Sequence, residues 1–553
     1  MKRISAFSLA AMLATSSFAA DDMAALKAEL NELKAQIAEL KKGQEVTDLK
    51  TLAEQVKEIK VRTGGDNVKW DIDYRASYDY IRYNMAGAQT MYATPTAALN
   101  GAALTGMGFG DVSSNFGYPA GSVYASRMAA ANNASNPALL TNRLILGMKA
   151  APTKDVSFIG KLSMNKAFGD TANHSQSNTM PGNANFDWIT NENALNTTVN
   201  VKEAYFIYFG DAGPVSYTAS IGRRPSYDGL PGNMREGNAN ANSPLSHLIN
   251  VEYDGASFLF NLEKVTSVPG MSFKLCMGKG LTNAKPRFQM DGTDYSKDKT
   301  KNGDVDLYGF IFVPYDDGQY SVHSMFFKAN NMIGYAQSDM FNYQVAYANY
   351  ALARMAGAST SNLNDLSYAY NNAASAMQFR NTGALNGGTV VAMANGIGNG
   401  WSDFLDNTTA FVSYAFTKTQ PNANGMLGTT DPKFGSSWWV GVQMPAMITK
   451  DGKIGFEYNK GSKYWRSVTY GEDTMVGSKL AARGKAWEGY YSQPLTKNLD
   501  MQLRYTQISY DYTGSNGFFG AEGTPYTMDE AVSMGMNPVK SASDARAYIR
   551  YRY

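Results

Sequence analysis

A single cysteine, Cys276, stands in 553 residues, so no intramolecular disulfide can form even in an oxidising compartment. It lies in MSFKLCMGKG, where alternation sets it with Ser272 and Lys274 against Phe273, Leu275 and Met277. No second cysteine or histidine nearby marks it as a reactive thiol, so a packed, idle one is expected. Histidine is nearly as scarce. His174, His247 and His323 are the whole set, no Gly-x-Ser-x-Gly elbow occurs, and no Cys-x-x-Cys-His run would attach haem. The chain is therefore not expected to be an enzyme or to hold a cofactor or a metal. His323 alternates with Ser321 and Met325 and is expected to pack or to face lipid at an interface. Acidic pairs such as Asp71/Asp73 and Asp304/Asp306 sit two apart, which on a strand makes them face the same water. Long apolar runs are missing too: no stretch of about 20 apolar residues follows the leader, which excludes helical membrane spans. Net charge is small, falling from +2 to about zero without Lys2 and Arg3, so a nucleic-acid partner is not expected.

What is abundant points to a different kind of membrane protein. Aromatic residues make up 12% of the chain and charged residues 18%, with 52 glycines and a mean hydropathy of −0.34. That balance suits apolar residues hidden in alternation, as in outer-membrane strands. The start, MKRISAFSLAAMLATSSFAADD, has a basic head, an apolar stretch from Ile4 to Leu13 and small residues before Ala19. This is the three-part pattern of a secretory signal covering 1–19 and cleaved after Ala19. Residues 20–62 read as a periplasmic coiled coil. Met23, Leu26, Leu30, Leu33, Ile37 and Leu40 step by three and four, and Leu49, Leu52, Val56 and Ile59 continue the seam after Gly43. A seam this narrow suits self-association through Leu26, Leu30, Leu33, Ile37 and Leu40, with a homotrimer favoured. TGGDN, residues 63–67, is the hinge.

Residues 68–553 read as a transmembrane antiparallel β-barrel. In VKWDIDYRASYDYIRY, Val68, Trp70, Ile72, Tyr74, Ala76, Tyr78 and Tyr80 alternate with Lys69, Asp71, Asp73, Arg75, Ser77 and Asp79. The last ten residues, DARAYIRYRY, repeat the pattern, with Ala545, Ala547, Ile549, Tyr551 and Tyr553 on one face. First and last strands are neighbours in a closed barrel, so Ile549, Tyr551 and Tyr553 are expected to close it. They also resemble the terminal signal that outer-membrane assembly machinery recognises. Candidate strands fall at about 67–83, 141–151, 155–167, 199–210, 215–224, 246–255, 256–264, 270–279, 303–314, 319–329, 408–418, 436–448, 452–460, 484–494, 498–511 and 544–553. Tight turns such as Pro152–Asp155 and Thr449–Gly452 contrast with long segments rich in Asn, Gly, Ala and Ser at 84–140, 168–198, 330–407 and 512–543. Short periplasmic turns and long outer loops are the rule for such barrels. With that rule the sixteen candidates break up-down parity twice, between 270–279 and 303–314 and between 319–329 and 436–448. Eighteen strands restores it, and sixteen follows if one segment is a loop, so the expectation is 16–18. Residues 341–357 are rich in helix formers and are expected to form a loop helix that caps or enters the pore.

The leader, the coiled coil, VKWDIDYR, RLILGMKAAPTKDVSFIGKLSM and above all GRRPSYDGLPGNMRE resemble an uncharacterised family of porin-like outer-membrane proteins of epsilonproteobacteria that carry a domain of unknown function. The resemblance implies a membrane barrel and brings no substrate with it. A coiled coil ahead of a barrel is also similar to the plan of phosphate-type porins, but no loop of repeated basic residues carries over their anion selectivity.

The inward polar faces supply the candidate site. Arg223, Arg224 and Arg235 flank a Pro- and Gly-rich turn expected to fold over the mouth or into the lumen. Arg75, Arg143 and Arg504 lie on polar strand faces with Asp71 and Asp73. Rows of opposite charge across a lumen orient polar solutes and bias ion flow, and the same groups can equally be wall salt bridges. The expected function is an outer-membrane porin-like channel for passive diffusion of small hydrophilic solutes or ions, bathed by outer-membrane lipid. The rival is a structural protein that ties the outer membrane to the cell wall through its coiled coil. An uptake barrel for apolar compounds is disfavoured by the charged inner faces of the first and last strands.

Overall fold

A computed structural model describes residues 68–94, 123–129, 131–168, 194, 199–238, 240–282, 284–285, 287–298, 304–355, 359–398, 400–469 and 474–553. The expected signal peptide, coiled coil, hinge and His174 lie outside the described residues. Sixteen strands close into one antiparallel barrel in which each strand pairs with its neighbours in sequence and the last pairs with the first. They are β1 (Val68–Met85), β2 (Ala134–Ala150), β3 (Val156–Ala167), β4 (Asn200–Ala212), β5 (Val215–Arg224), β6 (Tyr253–Asn261), β7 (Ser272–Leu281) and β8 (Val305–Asp316). The others are β9 (Tyr320–Tyr335), β10 (Phe379–Asn395), β11 (Thr409–Pro421), β12 (Phe434–Pro445), β13 (Lys453–Gly461), β14 (Gly484–Pro494), β15 (Leu499–Tyr510) and β16 (Val539–Arg552). Turns such as 213–214, 317–319 and 495–498 gather at one end, and the longer connections gather at the other.

Alternation carries the wall. On β1, Trp70, Tyr74, Tyr78 and Tyr80 are exposed outward while Arg75, Ser77, Asp79 and Ile81 are buried inward. Outward aromatics meet across strands, as where Tyr414 stands opposite Trp438 with ring centroids 4.7 Å apart. Such pairs add to sheet stability beyond their area. A closed sheet with an apolar, aromatic outer face leaves no backbone edge to lipid, which makes this a transmembrane barrel of the outer-membrane kind. Closure is made by β16 on β1, with Asp73 opposite Arg552, Tyr74 opposite Tyr551 and Ala76 opposite Ile549.

Both parity conflicts disappear, for opposite reasons. The expected strand 246–255 is not in the wall: apart from its last residues it belongs to a connection folded into the lumen, and 253–261 is one strand. The second conflict hid a strand, β10, whose sequence FRNTGALNGGTVVAMAN looks like a loop. Its glycines are there for rings. A Cβ on Gly388 would lie 2.7 Å from the Phe416 ring, and one on Gly387 would lie 2.4 Å from that of Phe327. The expected loop helix is present as Gln337–Met355, followed by a second helix, Thr360–Ala376. His323 faces inward rather than toward lipid, buried on β9 with its Nε2 3.4 Å from Asp316.

At the long-loop end, connection 511–538 docks on β9. The backbone N–H of Tyr335 donates to Glu522 at 3.0 Å, and the second carboxyl oxygen of Glu522 is buried without a hydrogen bond. Burial raises this carboxyl from an ordinary 4.5 to about 7. A folded-state value above the unfolded one means that the group's contribution to stability is full below about pH 4.5 and is lost as pH rises through about 7. Hydrogen exchange of the Tyr335 amide, corrected for intrinsic rates, is therefore expected to be faster at pH 8 than at pH 5.5. Glu522→Gln should remove that difference, and a difference that persists in the variant would refute the assignment.

Candidate functional site in the barrel lumen

The lumen is occupied by the protein's own chain because two pairs of strands stop early. β5 and β6 run only 10 and 9 residues, against 18 in β1, so the connection between them leaves the wall at mid-height. Residues 225–252 then fold inward. The other infold, 462–483, follows β13, which is also 9 residues long. The two meet inside the barrel, where Ile249–Asn250 pairs in parallel with Val468–Thr469. The tight path of the first infold needs Gly229, since a Cβ there would sit 1.8 Å from the Pro244 carbonyl oxygen.

The base of this infold is held by apolar packing. Leu245, Leu248, Ile249 and Val251 bury against Val305, Leu307, Ile311, Met325, Phe327, Leu385, Val391, Phe411 and Trp439, the inward residues of β8–β12. His247 sits fully buried among them, with Nδ1 2.7 Å from Ser413 Oγ and Nε2 3.0 Å from Ser437 Oγ. Its ring stands edge-on to Trp439 and tilted against Trp465. Beyond it, Arg483 donates from Nε to the Trp465 carbonyl at 2.9 Å and from Nη1 to the Thr513 carbonyl at 2.9 Å. Arg466 donates to the Gly517 carbonyl at 2.7 Å, so buried guanidiniums staple 462–483 to 511–538.

The tip is held by charge. Glu236 accepts from Arg235 Nε at 3.0 Å and Arg504 Nη2 at 2.9 Å, and its carboxylate lies 3.6 Å from Arg550 Nη1. Arg235 also reaches Glu488 at 3.3 Å, which shares Lys479 with Glu457 at 2.7 Å each. Arg550 donates to the Glu236 carbonyl at 2.6 Å and Arg552 to the Gly237 carbonyl at 3.3 Å, pinning the tip near the short-turn rim. Apart from the half-exposed Arg552, these groups are buried and linked by hydrogen bonds, the condition under which buried ion pairs hold a single geometry.

Beside the tip lies a cavity of about 410 Å³ at the short-turn end. Its walls include Asp71, Asp73, Arg143, Lys161, Lys202, Arg550 and Arg552 from the barrel, and Tyr227, Asp228, Glu236, Asn238, Asn240 and Asn242 from the infold.

The family model described as a protein of unknown function (DUF3373) matches residues 133–553. The chain belongs to that family. The match takes in both infolds and β2–β16, and leaves β1, with Asp71, Asp73 and Arg75, outside it. No curated relative matches the chain in sequence. Similar solved structures include OprB of Pseudomonas putida at high pH, 11% identical over 88% of this chain and 95% of that one, with a TM-score of 0.40. OmpF of Salmonella typhi with daunomycin is 12% identical over 88% and 99%, with a TM-score of 0.39. An anion-selective porin from Comamonas acidovorans is 11% identical over 88% and 99%, also at 0.39.

Within this DUF3373 barrel the residues singled out by sequence fall into four places. Asp71, Asp73 and Arg143 line the cavity, with Arg143 Nη2 3.7 Å from Asp73. Arg235 and Arg504 belong to the charged latch at the tip. Arg75 is buried over the Tyr548 ring at 5.3 Å, which Arg504 and Arg550 also flank. Arg223 and Arg224 are at the root of the infold and do not reach the cavity: Arg223 lies 3.4 Å from Glu252, and Arg224 donates to Ser257. Glu236, the last residue of GRRPSYDGLPGNMRE, and the Asn238-Ala-Asn-Ala-Asn242 alternation after it were not among the residues expected from sequence. That alternation was the available signal, since spacing of two places side chains on one face of an extended chain. Lys161 and Lys202 gave no such signal, because only the closed barrel brings them to the infold.

Proposed function

We propose that the protein is an outer-membrane channel for passive diffusion of small hydrophilic solutes or ions, narrowed by the infold 225–252. The observation that carries this is the charged cavity of about 410 Å³, which keeps polar groups of the wall and of the infold facing one another across the lumen. Polar walls with both signs of charge favour water and polar solutes over apolar ones. One specific feature favours the rival, structural reading: Trp439, Trp465, Arg466, Arg483 and Leu248 are fully buried, so the lumen around the infolds is tightly packed. Planar-bilayer recordings separate the two. Steps of stable size support the channel, and reversal potentials then give its selectivity, whereas a correctly folded but silent barrel overturns it.

In this reading the chain is exported by cleavage of residues 1–19, and the short-turn end faces the periplasm, where the coiled coil 20–62 assembles a trimer. Replacing Leu30, Leu33 and Ile37 by Asp is expected to abolish the crosslinked oligomer while the barrel stays folded, because charge buried between helices is costly. An unchanged oligomer would assign assembly to the barrel walls.

A further inference from the structure

The groups that face the short-turn cavity differ in whether the protein already satisfies them. Its cations are all engaged. Arg143 has Asp73 at 3.7 Å, Lys161 has Glu203 at 3.0 Å and Lys202 has Glu252 at 2.7 Å. Arg550 has Asp500 at 3.3 Å, and Arg552 has Asp500 at 2.9 Å. An anionic solute would have to compete with a protein carboxylate at each of them. By contrast, the side chains of Asp71, Asp228, Asn240 and Asn242 make no hydrogen bond or ion pair among the described residues, although all four line the cavity. All four are open to solvent to some degree.

Two of these groups, Asp71 and Asp228, are carboxyls, but not in isolation. Lys161, Glu203 and Asp73 act on Asp71, while Glu236, Lys202, Arg143 and Arg235 act on Asp228. A cationic solute entering here would meet those same lysines and arginines. Neither sign of charge is therefore favoured, and what remains is an unmet capacity for hydrogen bonding: two carboxylates that accept only, and two amides that both donate and accept. Hydroxyl groups match this set, because each donates to a carboxylate and accepts from an amide N–H. Asn240 and Asn242 both line the cavity, so a ligand with neighbouring hydroxyls meets two amides. The volume, about 410 Å³, falls within the range of roughly 300–1,000 Å³ usual for small-molecule pockets.

We propose that this cavity is a binding subsite for neutral polyhydroxylated solutes, of the size of a simple sugar or sugar alcohol, held by Asp71, Asp228, Asn240 and Asn242. The inference rests on the channel reading for its place in transport but not for its chemistry, so its test is kept separate from conductance. The detergent-folded full chain is titrated by calorimetry with glucose, with lysine as cationic probe and glutamate as anionic probe. Glucose is expected to bind, and neither amino acid to bind as tightly. Asn240→Leu with Asn242→Leu should weaken glucose binding at least tenfold. Asp228→Asn should do so as well, and since Asp228 has a φ of 52°, Asn suits that left-handed backbone. Retention of the heat-resistant folded form checks that the variants are intact. No glucose binding, tighter binding of either amino acid, or unchanged affinity in both folded variants overturns the proposal. Glucose binding by a barrel that is silent in bilayers would leave this subsite standing and remove the channel reading. A conducting barrel that does not bind glucose would do the reverse.

Discussion

Deleting Tyr551, Arg552 and Tyr553 is expected to remove most of the heat-resistant folded barrel from outer-membrane fractions. These residues close the wall at its short-turn end. Tyr551 is opposite Tyr74, Arg552 is opposite Asp73, and Tyr553 exchanges hydrogen bonds with Ile72 at 3.0 and 3.1 Å. Arg552 also accounts for a backbone bond to the Asn498 carbonyl at 2.8 Å and the ion pair to Asp500 at 2.9 Å. The truncation would strip the pairing from both neighbours of β16 at once, where each unsatisfied backbone group in lipid costs several kcal/mol by order of magnitude. Arg550→Gln is the control: its side chain reaches the infold and Asp500 of β15 but the substitution leaves the backbone pairing of β16 in place, so assembly should continue while the tip loosens. Normal insertion of the truncated chain would show that these three residues are dispensable for closure.

The second large effect is expected from Glu236→Gln. Three arginines converge on this one carboxylate inside the barrel, and breaking a buried pair from one side costs roughly 3–5 kcal/mol, because the remaining charges stay buried. The apolar base at Leu245, Leu248, Ile249 and Val251 is untouched by the change. The tip at 228–243 should therefore detach while the base and the wall hold. Hydrogen exchange within 228–243 is expected to speed up on the order of 100-fold or more, since each 1.4 kcal/mol is tenfold. Exchange in β14–β16 should stay near wild type. If the infold is what narrows the channel, single-channel conductance rises in the same variant. Tip exchange equal to wild type would mean that the charged latch contributes nothing to holding the loop.

The barrel was legible in the sequence because a membrane wall obeys a local rule. Every wall residue faces either lipid or lumen, faces alternate with period two, and a stretch such as VKWDIDYRASYDYIRY or DARAYIRYRY shows both faces without reference to any other part of the chain. The strand count was not legible to better than two, and the two errors share one cause. The sequence of β10 carries its glycines where the rings of Phe327 and Phe416 lie across neighbouring strands, so its loop-like composition makes sense only beside them. The segment 246–251, Ser-His-Leu-Ile-Asn-Val, has the apolar, β-branched look of a wall strand, yet its burial comes from β8–β12 inside the barrel.

The same division runs through the site. Alternation by itself determined that Asp71, Asp73, Arg75, Arg143 and Arg504 point inward, and the Pro-Gly turn after Arg224 marked where the chain leaves the wall. Which of these residues meet was decided by tertiary structure. Strands far apart in sequence become opposite walls of one lumen, and the strands shortened at β5 and β6 set the depth to which 225–252 descends. That depth, and not any motif, brings Glu236 to Arg504 and Arg550, some 270 to 310 residues away in sequence, and leaves Asp228, Asn240 and Asn242 lining the cavity. Local patterns fix the direction of a side chain, because direction follows from backbone periodicity. Partners depend on closure, which no stretch of the chain holds alone.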